Sequence, residues 1–233
     1  MQAIILAGGL GTRIRGTISD DIPKPMAPVN GKPFLEYVLQ NLSQNKMKQV
    51  VLSVGYKHQS ISNHFGSRFE GIDIHYSIEN EPLGTGGAIR LALNTIPNDD
   101  ESIFIFNGDT FFPIEIMKLQ DFHEQSKSDV SIALKYLSNC SRYGSVDINE
   151  MGRITHFREK QNQSPGFING GVYIINKSIL TKTDLPEKFS FEKFLGERVN
   201  HLHLSGVSFD EHFRDIGIPE DYNKFISEIQ EQL

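Results

Sequence analysis

The feature that most constrains the fold is a regular alternation of strand and helix patterns in the first half of the chain. Four short apolar segments have the length and composition of buried strands: residues 3–6, 50–54, 72–77 and 103–106. Apolar residues recur at helical spacing between them, as in residues 34–42 and 84–92. This alternation predicts a parallel sheet with helices on both faces. Right-handed crossovers then bring the loops that follow the strands to one edge, where ligands bind.

The second half of the chain has strand patterns with shorter connections. Four further strands are expected, at residues 130–136, 144–148, 153–158 and 167–175, and a final helix is expected at residues 219–230. Neither a repeat nor a low-complexity linker interrupts the sequence. We therefore predict a single α/β domain over residues 1–233, with a central mixed, mostly parallel sheet flanked by helices.

The composition limits the partners and the compartment. The formal net charge of −6 argues against a nucleic-acid partner, which calls for a basic face, but it allows a phosphate-rich small substrate. No apolar run approaches the roughly 20 residues that span a bilayer, and the N-terminus has no secretory pattern, so no membrane contact is expected. A lone Cys140 fits a reducing cytoplasm. The sequence leaves the choice between a monomer and a homodimer open.

A glycine-rich loop directly follows the first strand. Its glycines let the backbone approach a ligand closely, and consecutive N–H groups there can bind an anion. Arg13 adds a planar cationic fork suited to phosphate oxygens. The loop has neither the Walker pattern nor the dinucleotide fingerprint. The predicted nucleotide-binding residues of this loop are Leu6, Ala7, Gly8, Gly9, Gly11, Thr12 and Arg13.

Lys24 lies between Pro23 and Pro25, shortly after this loop. Prolines fix the local backbone, so the lysine is prepositioned. A lone lysine is usually a solvated surface group, but the prolines and the preceding loop favour a phosphate ligand.

Gly8-Gly9-x-Gly11-Thr12-Arg13, together with Pro23-Lys24-Pro25, resembles the N-terminal motif of the sugar-phosphate nucleotidyltransferases. The resemblance extends over nearly the whole chain. It implies a Rossmann-like, glycosyltransferase-A-like fold in which residues 1–127 mainly bind the nucleotide and residues 128–233 mainly bind the sugar phosphate. By the same resemblance, Arg13 holds the β- and γ-phosphates and Lys24 stabilises the α-phosphate region.

The stretch from Glu79 to Ala88 follows the third strand and contains Pro82, Thr85 and three glycines. The glycines, Gly84, Gly86 and Gly87, are expected to let a flat base or ribose lie against the backbone. The resemblance places this stretch in the nucleoside pocket, with Pro82, Gly84 and Thr85 as nucleotide-binding residues and Glu79 at the base edge.

A carboxylate at the base edge favours guanine. An ionised carboxylate only accepts hydrogen bonds, and guanine offers an N1–H and an NH₂ side by side. Uracil and thymine offer one N–H flanked by two carbonyls. The hypothesis is that Glu79, or alternatively Glu81, selects GTP; the competing interpretation is that both are solvated loop residues.

Gly108 and Asp109 follow the fourth strand, at the expected ligand edge of the sheet. A carboxylate there can hold Mg²⁺, although an aspartate in a turn or helix cap is also common. The resemblance assigns Asp109 and Asp215 to the metal and includes Gly108 in the nucleotide site. It also implies sugar-phosphate binding by Gly144, Glu159, Lys160 and Asn169, in which Glu159 takes sugar hydroxyls and Lys160 the phosphate.

The expected reaction is attack by the phosphate of a sugar 1-phosphate on the α-phosphorus of a nucleoside triphosphate. The attacking oxygen is already anionic, so positioning and charge neutralisation carry the catalysis. Arg13, Lys24 and Asp109 are the expected catalytic residues, with Mg²⁺ as cofactor.

Within the family, several segments most resemble bacterial heptose 1-phosphate guanylyltransferases, which implies GTP and D-glycero-α-D-manno-heptose 1-phosphate as substrates, for surface polysaccharide. These segments are residues 25–28, 54–56, 82–87, 141–144 and 168–171. Close relatives use mannose 1-phosphate with GTP, or glucose or muramate phosphates with UTP. A regulatory subunit that only binds nucleotide sugars is the alternative of a different class; such a protein should lack a metal aspartate, Arg13 or Lys24.

Overall fold

The computed structural model describes residues 1–9, 11, 14, 16–19, 21–96, 101–158 and 164–231. The strands of the first half are β1 (Gln2–Leu6), β2 (Pro28–Val29), β3 (Lys32–Pro33), β4 (Gln49–Val54), β5 (Arg68–Phe69), β6 (Ile72–Ile78), β7 (Ser102–Asn107) and β8 (Thr110–Phe111). Its helices are α1 (Phe34–Gln44), α2 (His58–Phe65), α3 (Gly84–Leu93) and α4 (Ile116–Ser126).

The second half adds strands β9 (Val130–Leu137), β10 (Ser145–Ile148), β11 (Ile154–Arg158), β12 (Gly166–Asn176), β13 (Leu204–Ser208) and β14 (Arg214–Asp215). Its helices are α5 (Ser178–Thr181), α6 (Phe191–Arg198) and α7 (Pro219–Glu231).

A ten-stranded mixed sheet forms the centre of the described structure. Its main path runs in the order β11-β10-β12-β7-β1-β4-β6-β5, and β9 pairs with β12 and with β13. The central pairs β7–β1, β1–β4 and β4–β6 are parallel, whereas β12 is antiparallel to both β7 and β9. The predicted fold, a mixed sheet with a parallel centre between two layers of helices, is confirmed.

Alternating residues of the strands build a core on each face of the sheet. In β1, Ala3 and Ile5 face one buried cluster and Ile4 faces the other, as the two-residue period of a strand requires. Buried residues of α1, α2, α4 and α7 belong to the first cluster, and those of α3, α5 and α6 belong to the second. The sheet is therefore covered on both faces, which explains why its parallel strands are continuous apolar runs.

Four elements of the second half were not anticipated from the sequence: α5, α6, β13 and β14. Helix α6 has only eight residues, although Ser190 caps it by accepting a hydrogen bond from Lys193 N–H. Strand β13 contains Gly206, which weakens a strand pattern. A Cβ at Gly206 would lie 2.5 Å from Leu134 Cδ1, so β13 requires a glycine to pack beside β9.

Among the described residues, no helix is long and apolar enough to cross a bilayer.

Candidate functional site

A cavity of about 280 Å³ opens at the carboxyl ends of the parallel strands. The chain passes from β1 to β4 and β6 on one side and then returns to β7 on the other side, so the ends of β1 and β7 flank a point where the strand order reverses. Ligands of open α/β sheets bind at such a point. The cavity is lined by Leu6, Gly8, Gly9, Lys24, Pro25, Glu79, Pro82, Gly84, Thr85, Ala88, Asn107 and Asp109.

The backbone just after β1 and β7 is fixed to the sheet. Ala7 N–H donates to the carbonyl of Ser53 at 2.8 Å, and Gly108 N–H donates to the carbonyl of Leu6 at 2.9 Å. A Cβ at Gly108 would lie 2.7 Å from that Leu6 oxygen, so this close approach needs a glycine. Among the predicted residues of the glycine loop, Leu6, Gly8 and Gly9 line the cavity.

Gly11 packs against the lysine that the sequence analysis selected. It has a φ of +60°, and a Cβ there would lie 2.9 Å from Lys24 Cβ. Four predicted site residues, Thr12, Arg13, Glu159 and Lys160, lie outside the described residues.

Lys24 begins a 3₁₀ turn and is buried against the cavity. Pro23 precedes it in an extended conformation, and its carbonyl accepts a hydrogen bond from Met26 N–H at 2.8 Å. Lys24 Nζ lies 2.6 Å from Asp109 Oδ2 and 3.9 Å from Asp215 Oδ1. The prolines therefore hold an ammonium group between the two carboxylates that the sequence analysis assigned to a metal.

A two-stranded ribbon brings these carboxylates together across the chain. Asp215 in β14 pairs with Thr110 in β8, and Ile216 N–H donates to the carbonyl of Asp109 at 3.0 Å. Gly217 N–H donates to Asp215 Oδ1 at 2.6 Å, which orients that carboxylate. In the part of the chain that the structure describes, no group of three or more His, Cys, Asp or Glu residues could hold a metal ion. Two carboxylates are nevertheless sufficient for Mg²⁺, which takes most of its ligands from water and phosphate.

Glu79 lies at another part of the cavity wall, close to the glycine loop. Its Oε2 accepts a hydrogen bond from Leu83 N–H at 3.0 Å, and Ser53 Oγ is 3.5 Å from its Oε1. A Cβ on Gly8 would lie 2.7 Å from Glu79 Oε1, so a larger residue at Gly8 would displace this carboxylate from its observed position. Glu81 is exposed and does not line the cavity, so the structure favours Glu79 of the two candidates.

Gly86 and Gly87, at the start of α3, lie against a distant segment of the chain. Residues 185–190, here called the strap, lie across the start of α3. A Cβ on Gly86 would lie 2.1 Å from the ring of Phe189, and one on Gly87 would lie 2.4 Å from the carbonyl oxygen of Glu187. Phe189 N–H also donates to Leu83 O, and Gly86 N–H donates to Phe189 O, both at 3.0 Å. Gly86 and Gly87 therefore make room for the strap.

Thr85 lines the cavity, but its hydroxyl binds the segment that follows the strap. It donates to Glu192 Oε2 at 2.7 Å and accepts from Phe191 N–H at 2.8 Å. Ser190 Oγ donates to the same Glu192 oxygen at 2.7 Å. Thr85 therefore joins the start of α3 to the start of α6, a connection that no local sequence signal indicates because these residues are more than a hundred positions apart.

Asn169 lies in β12, beside an irregularity in its pairing with β9. Its Nδ2 donates to the hydroxyl of Tyr173 at 2.7 Å, and its Oδ1 accepts from Gly171 N–H at 3.0 Å. Gly171 has a φ of +74°, and a Cβ there would lie 2.7 Å from Asn107 Nδ2. Asn107 lines the cavity and was not selected from the sequence; its place at the end of β7, two residues before Asp109, is the signal that could have indicated it.

The predicted sugar-side residue Gly144 follows a turn that lies close to Asp215. Gly144 has a φ of +75°, which favours glycine. Burial, and then the negative charge of Asp215, raise the pKa of the Tyr143 phenol to about 12. Arg142 Nη2 lies 2.6 Å from Oδ2 of the buried Asp221. The turn thus places a fixed guanidinium on the Asp215 side of the site.

Comparison with known proteins gives relatives over the full length of the chain. The family model described as nucleotidyl transferase matches residues 2–232. A D-glycero-alpha-D-manno-heptose 1-phosphate guanylyltransferase of Campylobacter jejuni is 47% identical over 97% of this chain and 99% of its own length. The enzyme of the same name from Aneurinibacillus thermoaerophilus is 47% identical over 100% of both chains.

Solved structures give the same agreement. The crystal structure of HddC from Yersinia pseudotuberculosis superposes with a TM-score of 0.86 at 37% identity, covering 98% of this chain and 99% of that one. The crystal structure of HddC complexed with GMP-PN superposes with a TM-score of 0.85 at the same identity and coverage. The resemblance that the motifs indicated is confirmed by these comparisons.

Proposed function

The chain belongs to the nucleotidyl transferase family, and we propose that it transfers GMP from GTP to D-glycero-α-D-manno-heptose 1-phosphate, giving GDP-heptose and pyrophosphate. Two relatives named for this activity are 47% identical over nearly the full length of the chain. A structure 37% identical to this chain contains GMP-PN, a ligand built on a guanosine phosphate. Such agreement over both halves supports the same pair of substrates here.

The observation that carries the proposal is the placement of Lys24, Asp109 and Glu79 around one cavity at the ends of parallel strands. Lys24 supplies a positive charge for a phosphate, Asp109 a metal-binding carboxylate, and Glu79 a hydrogen-bond acceptor for a base. A nucleoside triphosphate with its metal ion carries a matching group for each of these three residues. A regulatory subunit that only binds nucleotide sugars would not need Lys24 and both aspartates together.

We propose that Asp109 and Asp215 hold Mg²⁺ when the nucleotide binds. Both carboxylates lie within 4 Å of the Lys24 ammonium, and this common cationic neighbour supports a cation site between them. Two carboxylates plus substrate phosphates are the usual ligand set of Mg²⁺. The bound ion would neutralise charge on the triphosphate. Lys24, with its carboxylate partners engaged by the ion, would be available to the α-phosphate.

The reaction is an in-line displacement at the α-phosphorus of GTP. An oxygen of the sugar phosphate forms a bond to that phosphorus while the bond to the bridging oxygen of the β-phosphate breaks, and pyrophosphate leaves with the bond electrons. No proton has to be removed from the nucleophile. The chain contributes alignment through the rigid strand ends and positive charge through Lys24, which the expected roles of Arg13 and Lys160 would complete.

Glu79 is proposed to select guanine. The Leu83 N–H fixes the carboxylate, which keeps further acceptor positions for the N1–H and NH₂ of guanine. Uracil or thymine would place a carbonyl oxygen against it and leave polar groups unpaired, at about 1–3 kcal/mol for each group. We further propose that the enzyme acts in the cytoplasm, where GTP is made, and that GDP-heptose supplies the synthesis of surface polysaccharide.

The test is pyrophosphate release by the purified protein with and without Mg²⁺. GTP, UTP, CTP, ATP and dTTP are each combined with heptose, mannose, glucose and muramate phosphates. We expect release with GTP and the heptose 1-phosphate, and its loss when EDTA removes the metal. Release with UTP or dTTP and a hexose would contradict the base and sugar assignments. Nucleotide-sugar binding without release in any combination would support the regulatory alternative.

A further inference from the structure

Glu192 contacts Thr85 from the other half of the chain, and the proposed reaction gives it no role. It lies in the first turn of α6, directly after the strap that covers the start of α3. The strap is held by the two backbone hydrogen bonds of Phe189 to Leu83 and Gly86. This anchoring fixes the start of α6, and Glu192 with it, against the cavity wall.

The hydrogen bonds of Glu192 leave one carboxylate oxygen available. The hydroxyls of Thr85 and Ser190 both donate to Oε2, each at 2.7 Å. Within the described ranges Oε1 accepts no hydrogen bond from the protein, and the residue is partly exposed. Because a carboxylate can accept about four hydrogen bonds, the group retains capacity for a ligand. Thr85 lines the cavity, and Glu192, which does not itself line it, is joined to the cavity wall through the Thr85 hydroxyl.

Glu192 is also close to the residues that were assigned to the sugar. The fully buried Tyr173 accepts a hydrogen bond from Asn169 Nδ2. Burial and then the charge of Glu192 raise the pKa of this phenol well above its ordinary value, with a further contribution from Asp109. Phe191, the residue before Glu192, packs its ring against that of Tyr173 with 5.5 Å between the ring centroids, so the start of α6 lies beside the tyrosine that Asn169 contacts.

The chemistry of a carboxylate decides which part of the substrates it suits. A carboxylate repels phosphate oxygens, so Glu192 does not fit the triphosphate or the phosphate of the acceptor. Sugar hydroxyls are donors, and neighbouring hydroxyls can donate to a single carboxylate. We propose that Glu192 determines acceptor specificity by accepting hydrogen bonds from hydroxyl groups of the sugar 1-phosphate. This inference rests on the proposed function, since it names a further sugar-reading group of that same site, beside the expected role of Glu159.

The test measures binding by calorimetry, so that it does not depend on turnover. Wild type and Glu192→Gln are titrated with GTP, with the heptose 1-phosphate, and with deoxy analogues that each lack one hydroxyl. We expect the substitution to weaken binding of the sugar phosphate about tenfold or more, and to leave GTP binding within about twofold. For one deoxy analogue the substitution should have little further effect, because the contacted hydroxyl is already absent.

Glu197→Gln is the matched control, because Glu197 lies on the same helix and its side chain is 65% exposed. It should change neither binding constant. Equal effects of Glu192→Gln on GTP and on every sugar analogue, with a lower melting temperature, would overturn the proposal and leave a structural role. Wild type that binds the sugar phosphate without releasing pyrophosphate would contradict the proposed reaction alone. Wild type that binds no sugar phosphate would contradict both.

Discussion

In the first half of the chain, Glu79 and Asp109 follow the ends of parallel strands, whereas in the second half Asn169 lies in an irregular strand and Glu192 follows a strap. Strand ends are fixed by the sheet on both sides. The acceptor groups depend instead on contacts between segments far apart in the chain, such as Thr85 with Glu192. We therefore expect the strand ends of the first half to provide a rigid frame for the nucleotide, and the long-range contacts of the second half to be where sugar specificity is determined.

The largest expected effect tests the point where the two halves meet. Asp109 comes from the first half and Asp215 from the second, and Lys24 contacts both. Asp109→Asn and Asp215→Asn should each reduce kcat by about a hundred- to a thousandfold, because each removes charge from the proposed Mg²⁺ site. Pyrophosphate release measures the effect.

Asp121→Asn is the control for these variants, because Asp121 is exposed on α4. It should keep full activity. Retained turnover in a well-folded Asp109→Asn protein would remove the metal assignment, and a loss for one aspartate alone would mean that the two halves do not share the metal.

A smaller effect is expected at Glu79, the residue proposed to contact the base. Glu79→Gln should lower kcat/KM for GTP by about ten- to a hundredfold, because the carboxylate no longer accepts two hydrogen bonds from guanine. The value for UTP should stay at its low level or rise. Competition between GTP and UTP in one assay gives the ratio of their kcat/KM values directly. Glu81→Gln is the control, since Glu81 is exposed outside the cavity. A parallel loss for both nucleotides would show that Glu79 only supports the backbone of Leu83.

The packing of the strap against the start of α3 tests how the two halves of the chain are joined. Gly86→Ala places a Cβ where the Phe189 ring now lies, so we expect the free energy of unfolding to fall by about 1–3 kcal/mol. Both substrates should also bind less well. Gly196→Ala in α6 is the matched control, because the nearest atom to its Cβ would be 3.9 Å away. Alanine there should stabilise the helix by about 0.5–1 kcal/mol. Urea titration measures the free energy of unfolding of both variants. Equal values for Gly86→Ala and Gly196→Ala would contradict the packing argument.

The smallest expected effect lies where the first half of the chain packs against the second, at the buried His123 of α4. Its Nδ1 is 2.9 Å from Ser131 Oγ and its Nε2 is 3.2 Å from Asn176 Oδ1. Burial lowers the pKa of His123, against the opposing effects of Asn176 and of the carboxylates of Glu124 and Asp129. The unfolded chain, with a histidine pKa of about 6.5, therefore binds a proton that the folded protein resists. Stability should fall as the pH drops below that value.

Urea titrations between pH 7.5 and pH 5.5 test this expectation. His123→Gln should show a weaker dependence on pH than wild type, because glutamine does not titrate. His201→Gln, at an exposed position, should follow the wild-type profile. Identical profiles for all three proteins would mean that His123 does not contribute to acid sensitivity.

The parts of the fold that the sequence predicted are those with local signals. Residues 3–6 and 103–106 are uninterrupted apolar runs because these strands are covered on both faces of the sheet. The predicted site residues follow each run directly in the sequence. Lys24 and Asp109 could be selected because their neighbours, two prolines and a strand end, constrain them locally. The role of Gly86 could not be predicted, because its reason is the ring of Phe189 more than a hundred residues away. Glu192 could not be selected either, because its partner Thr85 is more than a hundred residues away. In addition, a glutamate in the first turn of a helix is common without any ligand.

The most direct test of the central claim is to follow the fate of each phosphate of GTP. Purified protein, Mg²⁺ and D-glycero-α-D-manno-heptose 1-phosphate are incubated with GTP labelled at the α- or at the γ-phosphorus. The proposed displacement predicts that the α label appears in GDP-heptose and that the γ label appears in pyrophosphate. Release of the γ label as inorganic phosphate, or an α label that never joins the sugar, would contradict it.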